Sequence, residues 1–136
     1  MKILVVDDSF VTRNILKNIL AQREITEESI VEAPDGSTAL EILKTQPVDA
    51  ILLDLDLPDI NGWEVLAELQ NDPNIMGIPV IIISAMDFPQ ILYTHGRQVF
   101  DVMMRRPFSK QEMGAVLNAI LENVKPIYPR VTNSSA

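Results

Sequence analysis

The sequence predicts an α/β domain in which a five-stranded parallel sheet is doubly wound, with helices on both faces. Three observations carry this prediction. Short β-branched or apolar runs alternate five times with helix-like patterns. The runs at residues 50–53 (AILL) and 78–84 (IPVIIIS) are almost continuously apolar, as in strands covered on both faces. Carboxylates stand where the first and third runs end, at Asp7-Asp8 and Asp54, on the side of such a sheet where ligands bind.

Taken in order, residues 2–6 (KILVV) form the first strand. Phe10, Val11, Ile15, Leu16 and Ile19 fall near helical spacing, so an amphipathic helix follows, capped by Ser9 or Asp8. Residues 22–28 are a polar loop, and residues 29–33 a less apolar strand, hence an edge. Asp35-Gly36 turns the chain into a second helix with Ala39, Leu40, Ile42 and Leu43 inward. The third strand lies between Pro47 and the breakers Pro58 and Asn61-Gly62. Gly62 opens a third helix with Val65, Leu66 and Leu69 inward, ended by Asn71-Asp72-Pro73.

The fourth strand is the most hydrophobic of the five, and Pro89 suits the first turn of a fourth helix that Gly96 interrupts or caps. Residues 99–104 form the fifth strand, followed by Arg105-Arg106-Pro107-Phe108. Ser109 with Glu112 is a capping box for a fifth helix with Met113, Val116, Leu117, Ile120 and Leu121 inward. The expected organisation is one domain over residues 1–124 and a disordered tail over residues 125–136, which holds Pro126, Pro129 and the polar Thr132 to Ser135. Right-handed crossovers make the flavodoxin-like strand order 2-1-3-4-5 the economical one.

Composition narrows the function. A chain of 136 residues buries roughly two thirds of its unfolded surface, and Cys 0 excludes both a disulfide framework and a thiol nucleophile. No apolar run approaches the ~18 to 20 residues of a membrane span, so a cytoplasmic domain with no membrane contact is expected. The formal charge of -8 opposes a phosphate backbone, which argues against nucleic acid and suits a bound cation or basic partner surfaces.

Strand order 2-1-3-4-5 makes the first and third strands neighbours, so Asp7, Asp8 and Asp54 converge at the switch point of the sheet. Two carboxylates about 4 Å apart repel by roughly 4 kcal/mol at an effective dielectric of 20. A hard divalent cation relieves this, and an open, solvated side favours Mg²⁺ keeping several waters.

These residues resemble a response-regulator receiver domain over residues 2 to about 124: the acidic pair in VVDDS, the aspartate in LLDLDLPDING, the hydroxyl in IIISA, and RPF where that family has KPF. The resemblance implies a module of a two-component phosphorelay. Asp54 is then the phosphoacceptor, taking a phosphoryl group from phosphohistidine on a sensor histidine kinase or histidine phosphotransfer protein. Asp8 binds Mg²⁺ directly, Asp7 shares the ion or holds its water, and the backbone carbonyl of Asp56 adds an oxygen. Ser84 bonds a phosphoryl oxygen and reorients as the switch, and a downstream target docks on the face of the fourth helix, fifth strand and fifth helix. The domain then catalyses only its own phosphorylation and dephosphorylation. A cis Arg106-Pro107 peptide is also implied.

Three departures stand out. Arg106 replaces the family's lysine, Met103 stands where an aromatic residue usually moves with the hydroxyl, and Asp56 adds an acid beside the acceptor. Two other readings remain open on the residues. One is a binding module that keeps the fold without depending on phosphate, suggested by Arg106 and Met103. The other is a haloacid-dehalogenase-type phosphatase, since Asp54-x-Asp56 follows an apolar strand; Pro58 in place of Thr or Val speaks against it. Taken alone, Asp7 and Asp8 also read as helix caps, Ser84 as a turn cap, His95 as a solvated residue and Trp63 as a shield over the third helix.

Overall fold

The computed structural model describes residues 2–75, 77–84, 102–105, 111 and 114, with the backbone alone for Gln70, Ser84 and residues 102–105. Its elements are β1 (Ile3–Val6), α1 (Phe10–Ala21), a 3-10 turn (Glu27–Ser29), β2 (Ile30–Ala33), α2 (Gly36–Thr45), β3 (Ala50–Asp54), α3 (Gly62–Asn71), β4 (Val80–Ser84) and β5 (Val102–Arg105). The strands form one sheet in the order β2-β1-β3-β4-β5, and every neighbouring pair is parallel. The flavodoxin-like topology expected from the alternation is the one observed.

Strand side chains alternate between faces with period two, and the two faces feed two cores. Leu4, Val6, Ile51 and Leu53 join Ala39, Leu40 and Leu43 of α2 and Val65, Leu66 and Leu69 of α3. Ile3, Val5, Ala50 and Leu52 join Leu16, Ile19 and Leu20 of α1. Every residue of β1 and β3 is buried, whereas three of the four in β2 are only partly so, which is how an edge strand differs from a central one. Burying a Leu or Ile side chain contributes about 1.5–3 kcal/mol, so these paired strands anchor the domain.

The structure differs from the sequence expectation in four places. Phe10, Val11 and Ile15 are 64%, 66% and 43% exposed; the sheet covers the stripe of Leu16, Ile19 and Leu20, narrower than the apolar arc of the helix. The loop after α1 contains a left-handed residue, Glu24, and the 3-10 turn. β4 begins at Val80, because Pro79 has no N–H to enter the ladder. β5 runs to Arg105, because it pairs with β4 through Ser84 opposite Arg105. Gln111 and Gly114 are helical, as the capping box predicts, and Arg23 beyond α1 donates from Nε to the Gly114 carbonyl at 3.1 Å. The fourth helix, the rest of the fifth, the Arg106-Pro107 peptide and the tail lie outside the described residues.

Each of the three described helices starts from a side-chain cap: Ser9 on α1, Asp35 on α2 and Asn61 on α3. A second carboxylate reaches α2 from the loop after β3. Asp59 accepts the Gly36 N–H at 2.9 Å and the Ser37 N–H at 3.2 Å. A hydrogen bond from the Ser37 side chain outweighs the desolvation that opposes it and, with main-chain N–H bonds from Gly36, Ile60 and Ser37, lowers its pKa from 3.8 to about 2. The same loop lays the Ile60 carbonyl where a Cβ on Gly36 would sit, so only glycine fits there.

Two outcomes are expected. Because its folded pKa is depressed, Asp59 stabilises the fold above pH 3.8 and loses that effect as pH falls toward about 2; Asp59→Asn therefore flattens the pH dependence of Tm between those limits. Gly36→Ala forces the Ile60 carbonyl away and lowers stability by about 1–3 kcal/mol in chemical denaturation.

Candidate functional site

The register of β1 and β3 decides what meets at their carboxyl ends. Val6 pairs with Leu53, so Asp7 and Asp54 are the next residues on adjacent strands. Asp7 shares the parity of Val5, and Asp54 that of Leu52, both of which face α1. Period-two alternation therefore sends both carboxylates toward the α1 side of the crevice. They are the buried charged residues among those described, at 1% and 4% exposure, while the neighbouring Asp8 is exposed. One carboxylate oxygen from each of Asp7, Asp8 and Asp54 lies within 4.8 Å of the other two.

Local hydrogen bonds aim these groups. Asp7 Oδ1 accepts the Ser9 N–H at 2.8 Å, and the Asp7 N–H donates to the Ala33 carbonyl of β2 at 3.1 Å. Asp54 Oδ1 accepts the Asp56 N–H at 3.0 Å, which holds the start of the β3–α3 loop against the carboxylate. The loop closes where the Gly62 N–H meets the Leu55 carbonyl at 3.0 Å. A Cβ on Gly62 would come within 2.6 Å of the Leu55 Cα and 2.8 Å of the Asp54 carbonyl oxygen, so the return to α3 needs glycine.

The remaining sequence candidates are placed unequally. Asp56 is exposed beside Asp54. Ser84 ends β4 one residue beyond Ile83, which pairs with Asp54, so its backbone borders the same crevice. Met103 is in β5 opposite Ile82. Arg106 lies outside the described residues. Asp7 and Asp8 do not cap α1; Ser9 does, accepting the Thr12 N–H at 3.2 Å. Trp63 is partly buried against the α2–α3 core.

One participant escaped the sequence reading. Arg13 donates from Nη1 to the Asp7 carbonyl at 2.8 Å and from Nε to Glu32 of β2 at 2.9 Å. Burial opposes ionisation of Glu32, but hydrogen bonds from Lys17 and Arg13 outweigh it and hold this carboxyl below its ordinary pKa. The spacing of Arg13 from Asp7 carries no signal by itself, since the partner acid Glu32 belongs to a different strand.

Three closely spaced carboxylates, two of them buried, offer only hard oxygen donors. That donor set fits a small divalent cation such as Mg²⁺ and offers nothing to a soft metal.

Comparison with known proteins agrees with this geometry. The family model for the response regulator receiver domain matches residues 3–118. The chain is 30% identical over 124 residues to the Vibrio cholerae chemotaxis protein CheY-3, covering 91% of this chain and 94% of that protein. The receiver domain of a Syntrophus aciditrophicus signal transduction histidine kinase superposes with a TM-score of 0.78 at 23% identity, over 96% of both chains. That of a Pseudomonas aeruginosa sensor histidine kinase, described with magnesium coordinated in its active-site cleft, gives 0.75 at 22% identity over 88% of this chain and 97% of that one. With the acidic crevice at the ends of β1 and β3 and a family match over most of its length, this chain belongs to the response regulator receiver domains.

Proposed function

We propose that this receiver domain accepts a phosphoryl group on Asp54 in a Mg²⁺-dependent reaction and thereby switches the binding of a downstream partner. The observation that carries the reading is the approach of the Asp7, Asp8 and Asp54 carboxylate oxygens to within 4.8 Å around a largely buried acceptor. Receiver domains are signalling modules of two-component systems rather than conventional enzymes, and the chemistry asked of them is correspondingly small. A carboxylate oxygen of Asp54 attacks phosphorus as the bond from phosphorus to the imidazole nitrogen of the donor breaks, and that nitrogen leaves with the electron pair. Asp7, Asp8, Asp54 and the Asp56 carbonyl are the groups that would hold Mg²⁺, which supplies charge neutralisation for the phosphoryl oxygens.

The donor in this reading is a sensor histidine kinase or a histidine phosphotransfer protein in the cytoplasm. To reach Asp54 such a protein covers the start of α1, where Phe10, Val11 and Ile15 stand exposed immediately after the acidic loop. Ser84 and Arg106 take the remaining phosphoryl charge, and the output face is that of the fourth helix, β5 and the fifth helix, within a domain spanning residues 1–124. A phosphate-independent binding module is the second reading, favoured by Arg106 where the receiver resemblance implies lysine and by Met103 in β5.

The deciding experiment is mass spectrometry of the full chain after incubation with acetyl phosphate and Mg²⁺. One phosphoryl adduct is expected, lost in Asp54→Asn and with EDTA; a wild-type chain that takes no adduct favours the second reading. Asp56 orients attacking water, so Asp56→Asn is expected to prolong the adduct, measured as its decay after removal of donor. Arg106→Ala is expected to leave an adduct that forms more slowly, read from the same assay.

A further inference from the structure

We propose that Arg13 is a positioning residue for the metal-holding aspartates, acting through the main chain of Asp7 from an anchor on β2. The inference rests on the reading of Asp7, Asp8 and Asp54 as a Mg²⁺ site. Arg13 reaches back from the first turns of α1 to donate from Nη1 to the Asp7 carbonyl at 2.8 Å, while Nε donates to Glu32 Oε1 at 2.9 Å. Its side chain is only 14% exposed, and its guanidinium carbon lies 5.8 Å from the centre of the Phe10 ring. Lys17, one turn further along α1, holds the other oxygen of Glu32 at 3.1 Å. The acid on β2 is therefore gripped from both sides, and the guanidinium is fixed in one orientation.

Asp7 is the first residue beyond β1, where the chain begins its turn toward α1. Its N–H is bonded to Ala33 of β2, its carbonyl to Arg13 and its carboxylate to the Ser9 N–H. These contacts over-determine the peptide planes that aim Asp7 and Asp8. Of the three, only the Arg13 contact is a charge-assisted bond from a side chain that can be changed without touching the acidic residues. A lysine cannot replace it, because one ammonium on a flexible stem does not span a carbonyl and a carboxylate with a rigid fork. Partners that orient ligands in this way typically govern metal affinity about tenfold or more.

The sign of the effect separates positioning from simple electrostatics. Arg13 is a cation near a cation site, so a purely Coulombic role makes Mg²⁺ bind more tightly when the charge is removed. Positioning makes it bind more weakly. Calorimetric titration of Mg²⁺ into the full chain, with Tm recorded alongside, is the test. Arg13→Met is expected to weaken binding about tenfold, Arg13→Lys to restore less than half of that loss on a logarithmic scale, and Glu32→Ala to weaken it in the same direction. Unchanged or tighter binding by folded Arg13→Met overturns the proposal, whatever happens to Tm. Should that variant not fold, wild-type affinity in both Arg13→Lys and Glu32→Ala overturns it equally. Asp8→Asn is the control for the underlying site: if it binds Mg²⁺ like wild type, the metal-site reading fails and this proposal with it, whereas loss of binding in Asp8→Asn alone sinks only the role of Arg13.

Discussion

The structure depends on a conflict between register and charge. β1 and β3 pair so that their last apolar residues, Val6 and Leu53, are followed on the same side of the crevice by Asp7 and Asp54. Fully buried neighbours such as Leu4, Val5, Leu52 and Leu53 hold that pairing, and a slip of one residue would turn each of them to the wrong face. Hydrophobic packing thus forces carboxylates together that would otherwise separate. Such enforced proximity is how a fold stores affinity for a cation, since binding relieves a repulsion the strands cannot relieve by moving.

The strands bring the acids near one another, and the loops decide where their oxygens point. On the β1 side the turn is tied to β2 through Asp7 and Ala33, and to α1 through Ser9 and Arg13. On the β3 side the loop is tied to Asp54 through the Asp56 N–H, to α2 through Asp59, and to itself through Gly62. Both loops are therefore held by elements other than the strands they extend. The edge strand β2 and helix α2 contribute no acid to the site, yet each anchors one of its two loops. Rigid support of this kind matters most where the chemistry consists of placing charges rather than of elaborate proton transfer.

Among the described residues, the same architecture leaves one side open. Asp8 and Asp56 are exposed at the rim, and the start of α1 presents Phe10 and Val11 to solvent instead of to the core. The proposed transfer needs that exposure, because a wholly internal site could bind a metal but could not meet a protein-borne phosphoryl group. Here the inner carboxylate is shielded by the sheet, while its outer neighbours remain within reach of a partner surface.

The alternation of apolar runs with helical patterns, the continuous hydrophobicity of β3 and β4, and the weaker apolar character of β2 determined the sheet and its order. So did the acidic positions, because a carboxylate that directly follows a buried strand has one place to be. The caps Ser9, Asp35 and Asn61 are equally local, since each accepts the amide three residues on, although the sequence marked Asp35 and Asn61 only as turn residues. What tertiary structure alone decided is non-local. The grip of Arg13 on Asp7 and Glu32, the latch of Asp59 on α2, and the outward turn of Phe10, Val11 and Ile15 each depend on which surface another element presents, and no periodicity within a single segment encodes that.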